Sequence, residues 1–218
     1  MKTKVGLIRV LTTEDKALLN LHGNLVMSYC PELDVASACI PDQPEGIHDD
    51  ATEEIAVPKV LALAEKMEKD GVKAVIISCA GDPAFTLASE KLSIPVIGAG
   101  RAAAYLARTL EQPTAVLGIT DKAPPAIRLA LGEYFVGEIV PQGVDSTLDL
   151  MKEQGMQAVL AAGEKLVSQG AKVIVLACTG LATIGAAKKL REKLRVPVID
   201  PVHAQALVCA AALGPGGE

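Results

Sequence analysis

Short runs rich in Val and Ile alternate along the chain with longer stretches whose apolar residues recur at helical spacing. This alternation is typical of βα units, in which helices cover both faces of a parallel sheet, and it predicts the α/β fold class. The predicted strands span residues 4–10, 33–40, 73–78, 95–97, 114–119, 134–140, 172–177 and 197–199. The predicted helices span residues 13–28, 51–70, 83–92, 100–111, 124–131, 145–169, 180–194 and 201–213. Pro58 is expected to kink the second helix or to delay its start.

The two halves of the chain resemble each other, which indicates an internal duplication. The segment from Gly71 to Gly81 aligns without gaps with the segment from Gly170 to Gly180, and each contains a cysteine after its apolar run. A Pro-Val-Ile sequence follows in each half, beginning at Pro95 and at Pro197. We therefore expect two similar lobes, each a four-stranded parallel sheet flanked by helices, related by a pseudo-two-fold axis.

Composition and charge exclude several classes of protein. Of the 218 residues, 50% are hydrophobic but only 2% are aromatic, so we expect an ordered core of Ala, Val, Leu and Ile. The formal net charge is −5, with no basic block and few rings for base stacking, so nucleic acid is not an expected partner. No apolar run is long enough for a membrane span or a signal peptide, so we expect no membrane partner and a cytoplasmic protein.

The cysteines and histidines do not have the spacing of a metal site or a disulfide framework. There are five cysteines, an odd number without a CxxC pair, so we expect reduced thiols. The three histidines, His22, His48 and His203, form no metal spacing, and His203 is expected on the surface or at a cleft rim. No phosphate-binding glycine loop is present. We therefore expect no metal and no cofactor.

Cys79 and Cys178 are the strongest candidates for chemistry, because each stands where a buried strand ends and a glycine-containing turn begins. That edge of a parallel sheet is where ligands bind, and helix N-termini there can lower a thiol pKa. If the lobes face each other, the two thiols could remove a proton from one face of a carbon and return one to the other. Their sulfurs would then lie roughly 6 to 7.5 Å apart. The alternative is two buried core cysteines that merely share a strand-end position.

The motifs Cys79-Ala80-Gly81-Asp82-Pro83 and Cys178-Thr179-Gly180-Leu181 resemble those of the aspartate/glutamate/hydantoin racemase superfamily, above all the hydantoin racemases. The resemblance covers nearly the whole chain. It implies cofactor-independent racemisation by Cys79 and Cys178 in the cleft between two lobes. It also implies that residues 1–98 and 202–218 form the first lobe and residues 99–201 the second, because one helix crosses in each direction.

The sequence departs from the hydantoin racemases at the end of the first strand. Those enzymes typically have an Asn-Pro-Asn-Thr/Ser stretch there, and this chain has Arg9-Val10-Leu11-Thr12-Thr13. The Asp-Ser-Gly and Cys-Thr-His motifs of glutamate racemase are absent as well. Arg9 could hold a substrate carboxylate, which would favour a free acid over a neutral hydantoin. Alternatively, its stem packs against the protein and its guanidinium lies at the rim of a face covered by helices.

Six residues besides Arg9 are candidates for substrate binding. Asp82 could contact substrate, although Asp followed by Pro is a preferred start of a helix and favours capping. Thr120 and Thr179 could offer hydroxyl groups to a carboxylate or cap the helices that follow them. The predicted substrate-binding set is Arg9, Ala80, Gly81, Asp82, Thr120, Thr179 and Gly180.

These features predict a racemase or epimerase that acts on an amino acid or a derivative such as a hydantoin. A decarboxylase or a cis–trans isomerase of a small carboxylic acid on the same fold is an alternative, although two retained cysteines argue against the decarboxylase. A non-catalytic protein that binds small carboxylates is a third possibility. In each case we expect a small-molecule ligand and a homo-oligomer.

Overall fold

The structure is a computed structural model that describes residues 2–214. In this range the chain divides into two compact units, residues 2–99 with 202–214 and residues 100–201. Each unit contains one four-stranded parallel sheet flanked by helices. The α/β class with a parallel sheet in each half, expected from the sequence, is therefore confirmed.

The sheet of the first unit has the strand order β2-β1-β3-β4. Its strands are β1 (Thr3–Arg9), β2 (Leu33–Cys39), β3 (Val75–Ser78) and β4 (Val96–Gly98), and all neighbours are parallel. Its helices are α1 (Lys16–Tyr29), α2 (Asp50–Lys69), α3 (Phe85–Lys91) and, from Val202 onward, α9 (Pro201–Leu213).

The sheet of the second unit repeats this topology, with the order β6-β5-β7-β8. Its strands are β5 (Thr114–Leu117), β6 (Phe135–Ile139), β7 (Val173–Leu176) and β8 (Val198–Ile199). Its helices are α4 (Ala99–Arg108) from Gly100 onward, α5 (Pro125–Leu131), α6 (Gly155–Ser168), α7 (Gly180–Thr183) and α8 (Ala186–Leu194). The same position of each strand in the two sheets agrees with the duplication read from the sequence.

The central strands β3 and β7 are apolar except at Ser78, the last residue of β3, because both faces of each sheet are covered. Every residue of both strands is buried. One face of the first sheet packs on Ala56, Val60 and Ala64 of α2. The corresponding face of the second packs on Val159, Ala162 and Leu166 of α6. The small side chains of these helices let them approach the sheets closely, which accounts for a core almost without aromatic residues.

Two helices differ from the sequence prediction, and α2 begins within one residue of its predicted start. The stretch predicted as a helix over residues 145–169 begins with a 3-10 turn at Asp149–Met151, and α6 starts only at Gly155. The predicted helix over 180–194 is divided at Gly185, whose φ of +67° ends α7. The start of α2 is not delayed by Pro58, because Asp49 and Thr52 form a reciprocal capping box that begins this helix at Asp50. In residues 2–214 no helix combines the length and apolarity that crossing a bilayer would need.

Replacing Ile76 of β3 with Ala tests the contribution of the doubly covered strand. Ile76 is fully buried, so the substitution should lower the free energy of unfolding by about 2 to 5 kcal/mol, as measured by urea denaturation. Ile55→Ala is the matched control, because Ile55 is 55% exposed, and it should change stability by no more than about 0.5 kcal/mol. Equal effects of the two substitutions would contradict the burial assigned to β3.

Candidate functional site

The two sequence-predicted cysteines occupy equivalent positions at the carboxyl ends of β3 and β7. Cys79 follows Ser78, the last residue of β3, and Cys178 lies two residues after Leu176, the last residue of β7. In both units the cysteine carbonyl accepts a hydrogen bond of 3.1 Å from the backbone N–H three residues later. The duplicated sequence therefore produces the same backbone turn around each thiol.

The Cys178 thiol is buried and remains protonated at neutral pH. Its residue is 6% exposed, and the Gly180 N–H donates a hydrogen bond to Sγ at 3.3 Å. Burial raises the pKa of Cys178 to about 11, although the Gly180 and Leu181 N–H groups oppose this shift. The expectation that the turn would lower this pKa is therefore wrong, because loss of solvent outweighs two backbone dipoles.

Apolar side chains cover the turn that carries Cys178. A Cβ atom placed on Gly180 would lie 3.2 Å from Cys178 Sγ, 3.1 Å from Leu150 Cδ1 and 3.3 Å from Thr147 Cγ2. Glycine is thus the residue that fits between this thiol and the 147–150 segment. The start of the predicted helix is instead a loop and a 3-10 turn, and Leu150 of this turn lies beside Gly180.

The surroundings of Cys79 are more polar and more open. Cys79 is partly exposed. A Cβ atom placed on Gly81 would lie 3.8 Å from Cys79 Sγ and 3.7 Å from Oε2 of Glu53, a residue in the first turn of α2. A carboxylate therefore lies beside the turn of the first cysteine, at the position where apolar groups cover the second.

A buried polar cluster supports the strand end just before Cys79. Ser78 Oγ lies 2.9 Å from Nδ1 of His22 in α1 and accepts a 3.3 Å hydrogen bond from Nε2 of Gln205 in α9. Each of these three residues is at most 1% exposed. Burial, and secondarily the Arg9 charge, lower the pKa of His22 well below 6.5, so the imidazole is neutral. The equivalent of Ser78 in the other unit is Ala177, so this cluster is specific to the first unit.

A family model described as Asp/Glu/Hydantoin racemase matches residues 28–209. The chain belongs to this family. Membership makes the protein a racemase, in the isomerase class. The matched range includes both cysteines and both glycine-containing turns.

Individual relatives agree with this assignment. A hydantoin racemase of Rhizobium meliloti is 29% identical over 181 residues, which cover 80% of this chain and 74% of that protein. A hydantoin racemase of Pseudomonas sp. (strain NS671) is 31% identical over 170 residues, 74% of this chain and 66% of that protein. The fold matches the structure of an allantoin racemase from Klebsiella pneumoniae with a TM-score of 0.80 at 24% identity, covering 100% of this chain and 91% of that one.

Arg9 is directed toward α1. Its side chain is buried, and Nη1 donates hydrogen bonds to the carbonyl oxygens of Leu18 and Leu19 in that helix. Burial lowers the pKa of Arg9 to about 10, a shift that proximity to Cys39 partly offsets. The guanidinium therefore satisfies backbone carbonyls of the racemase core, in agreement with the strand alternation that places Arg9 on a helix-covered face.

Asp82 does not cap α3, contrary to the expectation from the Asp-Pro pair. The N-cap residue of α3 is Ala84, without a side-chain hydrogen bond. Asp82 has a φ of +55°, and this left-handed turn directs its buried carboxylate onto Gly98. A Cβ atom on Gly98 would lie 2.6 Å from Asp82 Oδ1, so only glycine leaves room for the carboxylate at the end of β4.

The two predicted threonines differ in their contacts. Thr120 Oγ1 donates to the carbonyl of Lys122 at 2.8 Å and closes a turn, so it does not cap α5. Thr179 is buried and precedes α7, but its side chain makes no capping hydrogen bond there. Ala80 is buried beside Cys79, whereas Gly81 and Gly180 are each partly exposed in their turns.

Sequence reasoning missed Glu53 and the buried cluster of His22, Ser78 and Gln205. Glu53 is one of several acidic residues at the start of α2, and no local signal distinguishes it from its neighbours. His22 lies on an apolar helix face, which is a weak sign of burial. His203, expected at the surface or a cleft rim, is partly buried, and its ring lies 4.3 Å from that of Tyr29.

Neither the placement of metal-ligating side chains in residues 2–214 nor a surface depression points to a site other than the cysteine turns. No group of three His, Cys, Asp or Glu side chains in this range is placed to hold a metal ion. A depression of about 310 Å³ in the second unit is lined by residues 142–144, 149, 152–155 and 158, and it contains no residue of the predicted site.

The neutral buried His22 predicts a specific pH dependence of stability. The unfolded chain binds a proton to this histidine below about pH 6.5 and the folded chain does not, so the free energy of unfolding should fall as pH falls below 6.5. The slope from this group is at most about 1.4 kcal/mol per pH unit. Urea denaturation at pH 7.5 and 5.5 should show a smaller loss in His22→Gln than in the natural protein. The control Ile55→Ala, at an exposed position without a titratable group, should retain the full loss.

The raised pKa of Cys178 predicts slow alkylation by iodoacetamide. At pH 8 the native thiol should react roughly 100-fold or more slowly than the unfolded one, whose reference pKa is 9.0. The native rate should rise about tenfold per pH unit between pH 7 and pH 10. Peptide mass spectrometry measures this rate for Cys178 separately, and equal native and unfolded rates would contradict the assignment.

Proposed function

We propose that the protein is a cofactor-independent racemase of 5-substituted hydantoins and that Cys79 and Cys178 are its two acid–base groups. The observation that carries this proposal is the duplicated cysteine turn. Both halves of the chain present a thiol after a buried central strand, followed by a glycine at the second position and closed by the same 3.1 Å backbone hydrogen bond. Two equivalent acid–base groups are what inversion of a carbon requires.

The proposed reaction transfers one proton on each side of the chiral carbon. A thiolate on one cysteine takes the proton from that carbon, and the electron pair of the C–H bond moves toward the adjacent carbonyl. The thiol of the other cysteine then donates its proton to the opposite face, which leaves the first sulfur protonated and the second ionised. Both sulfurs must reach one carbon, at roughly 3 to 3.5 Å each, for this exchange to occur.

The burial of Cys178 supports one assignment of the starting protonation states of the two cysteines. Because the pKa of Cys178 is about 11, this cysteine is a thiol at neutral pH and serves first as the acid. Cys79, which is partly exposed, then serves as the base. The opposite enantiomer requires the reverse protonation of the pair.

The position of Arg9 supports a neutral substrate. The guanidinium, a candidate ligand for a substrate carboxylate, donates hydrogen bonds to the carbonyls of Leu18 and Leu19. Hydantoins lack a carboxylate and present ring N–H and carbonyl groups instead. The curated relatives at about 30% identity are hydantoin racemases, which supports the same substrate class. A free amino acid is the competing substrate and is included in the test below.

Exchange in heavy water tests the reaction. Single enantiomers of 5-substituted hydantoins, of allantoin and of free amino acids are incubated with the protein in D₂O. A racemase produces the opposite enantiomer with deuterium at the chiral carbon. Turnover of free amino acids alone would contradict the hydantoin assignment. Ligand binding without any exchange would favour a non-catalytic binding protein.

Substitution of each cysteine with Ser tests the acid–base pair. Cys79→Ser and Cys178→Ser should each lower racemisation by about 10²- to 10⁴-fold, because a hydroxyl ionises far less readily than a thiol. Chiral chromatography of the product measures the rate, and circular dichroism confirms that each variant is folded. Cys39→Ser is the matched control, since Cys39 is also partly exposed but lies in β2. A rate close to that of the natural protein in either active-site variant would exclude the two-cysteine mechanism.

A cytoplasmic location fits this chemistry. All five cysteines are free thiols in the described chain. The mechanism requires that Cys79 and Cys178 stay reduced, and the cytoplasm is the compartment that maintains thiols in that state.

A further inference from the structure

The carboxylate of Glu53 lies beside the turn that carries Cys79. Glu53 is partly buried in the first turn of α2. Its Oε2 atom and Cys79 Sγ lie 3.7 Å and 3.8 Å from one point, the position of a Cβ atom on Gly81. Because Gly81 lacks that atom, the space between the carboxylate and the thiol is open to a group of about the size of a methyl.

Within residues 2–214, the Glu53 carboxylate has neither an ion pair nor a side-chain hydrogen bond. Three other carboxylates on or at the start of α2 do have such partners. Asp49 accepts a hydrogen bond from Thr52, Glu65 pairs with Lys91, and Glu68 accepts two hydrogen bonds from Ser93. Burial, and secondarily the charge of Asp50, raise the pKa of Glu53. A partly desolvated acceptor without a protein partner can accept a hydrogen bond from a ligand.

The side-chain atoms nearest to the equivalent turn of the second unit are uncharged. The equivalent glycine, Gly180, is covered by Leu150 and Thr147, which present Cδ1 and Cγ2 carbon atoms to it. The duplication therefore conserves the cysteine and the glycine but places a carboxylate beside one thiol and carbon atoms beside the other. Because only one of the two turns has the Glu53 carboxylate beside it, Glu53 can distinguish one end of a bound substrate from the other.

We propose that Glu53 is a specificity-determining residue, which accepts a hydrogen bond from an N–H group of a neutral substrate next to Cys79 and repels substrates with a carboxylate there. This inference rests on the proposed hydantoin racemase function and assigns the selection of neutral rings to one side chain. Hydantoins carry an N–H group directly bonded to the chiral carbon, so a carboxylate close to the catalytic thiol is near the group it would recognise.

The expected selectivity follows from the repulsion between two carboxylates. Two carboxylates roughly 6 Å apart near a protein surface repel each other. The partial exposure of Glu53 to solvent weakens this repulsion. We therefore expect roughly 5- to 20-fold weaker binding of a ligand with a carboxylate at this position than of the matching amide.

Ligands that cannot react separate this test from catalysis. A hydantoin with two carbon substituents at the chiral position has no proton to lose. We choose 5-methyl-5-(carboxymethyl)hydantoin and 5-methyl-5-(carbamoylmethyl)hydantoin, which have nearly the same shape and differ in charge. Isothermal titration calorimetry gives the dissociation constant of each with the natural protein, with Glu53→Gln and with the control Glu54→Gln. Glu54 is the next residue on α2 and is exposed.

The natural protein and Glu54→Gln should prefer the amide by roughly 5- to 20-fold, and Glu53→Gln should reduce this preference to about twofold or less. Glu53→Ala, which also removes the acceptor, should weaken binding of 5,5-dimethylhydantoin about tenfold. An unchanged preference in Glu53→Gln would overturn the inference, as would failure of the natural protein to bind either ligand. Circular dichroism identifies a variant that does not fold, and Glu53→Gln then remains as the near-isosteric comparison.

The binding test of Glu53 and the racemisation test can fail separately. If the ligands bind with the expected selectivity but no hydantoin is racemised, the proposed function fails and the role of Glu53 in ligand selection stands. If hydantoins are racemised and Glu53→Gln keeps the selectivity of the natural protein, the function stands and the role of Glu53 is wrong.

Discussion

The structure depends on two central parallel strands that are buried on both faces. Such a strand is almost entirely apolar and is hydrogen-bonded to a neighbour on each side. β3 and β7 can therefore change direction only where their pairing ends. Both cysteines lie at that point, and the glycine two residues later lets the chain turn without filling the space over the thiol. The strand pairing of each sheet therefore sets the position of its thiol, and charged groups are not needed for this.

The duplicated fold carries two different chemical environments. Beneath Cys79, Ser78 belongs to a buried polar cluster with His22 and Gln205, and a carboxylate lies beside the turn. Around Cys178, the equivalent positions hold Ala177, Leu150 and Thr147, and burial keeps the thiol protonated. The two units therefore place equivalent backbone turns in surroundings of unequal polarity.

The buried charged residues Arg9 and Asp82 of the first unit make contacts within the protein. Arg9 satisfies two carbonyls of α1, and its charge helps to keep His22 neutral. The Asp82 carboxylate packs on Gly98, at the end of β4. From the sequence, Arg9 was a candidate substrate contact, and Asp82 was a candidate substrate contact or helix cap. For Arg9 the three-dimensional contacts supply a partner within the protein.

The sequence by itself determined the strand and helix order, the duplication and the two cysteine turns, because these depend on local periodicity and on residues adjacent in the chain. It also determined the family, through motifs of four or five consecutive residues. Only the tertiary structure decided the direction of the Arg9 side chain, the burial that raises the pKa of Cys178, and the proximity of Glu53 to Cys79. These features join residues far apart in the chain, such as Ser78 and Gln205, and desolvation depends on what every neighbouring element contributes. Local patterns contain no record of such contacts, since the same Arg or Glu can face a helix, a ligand or solvent without any change in its own segment.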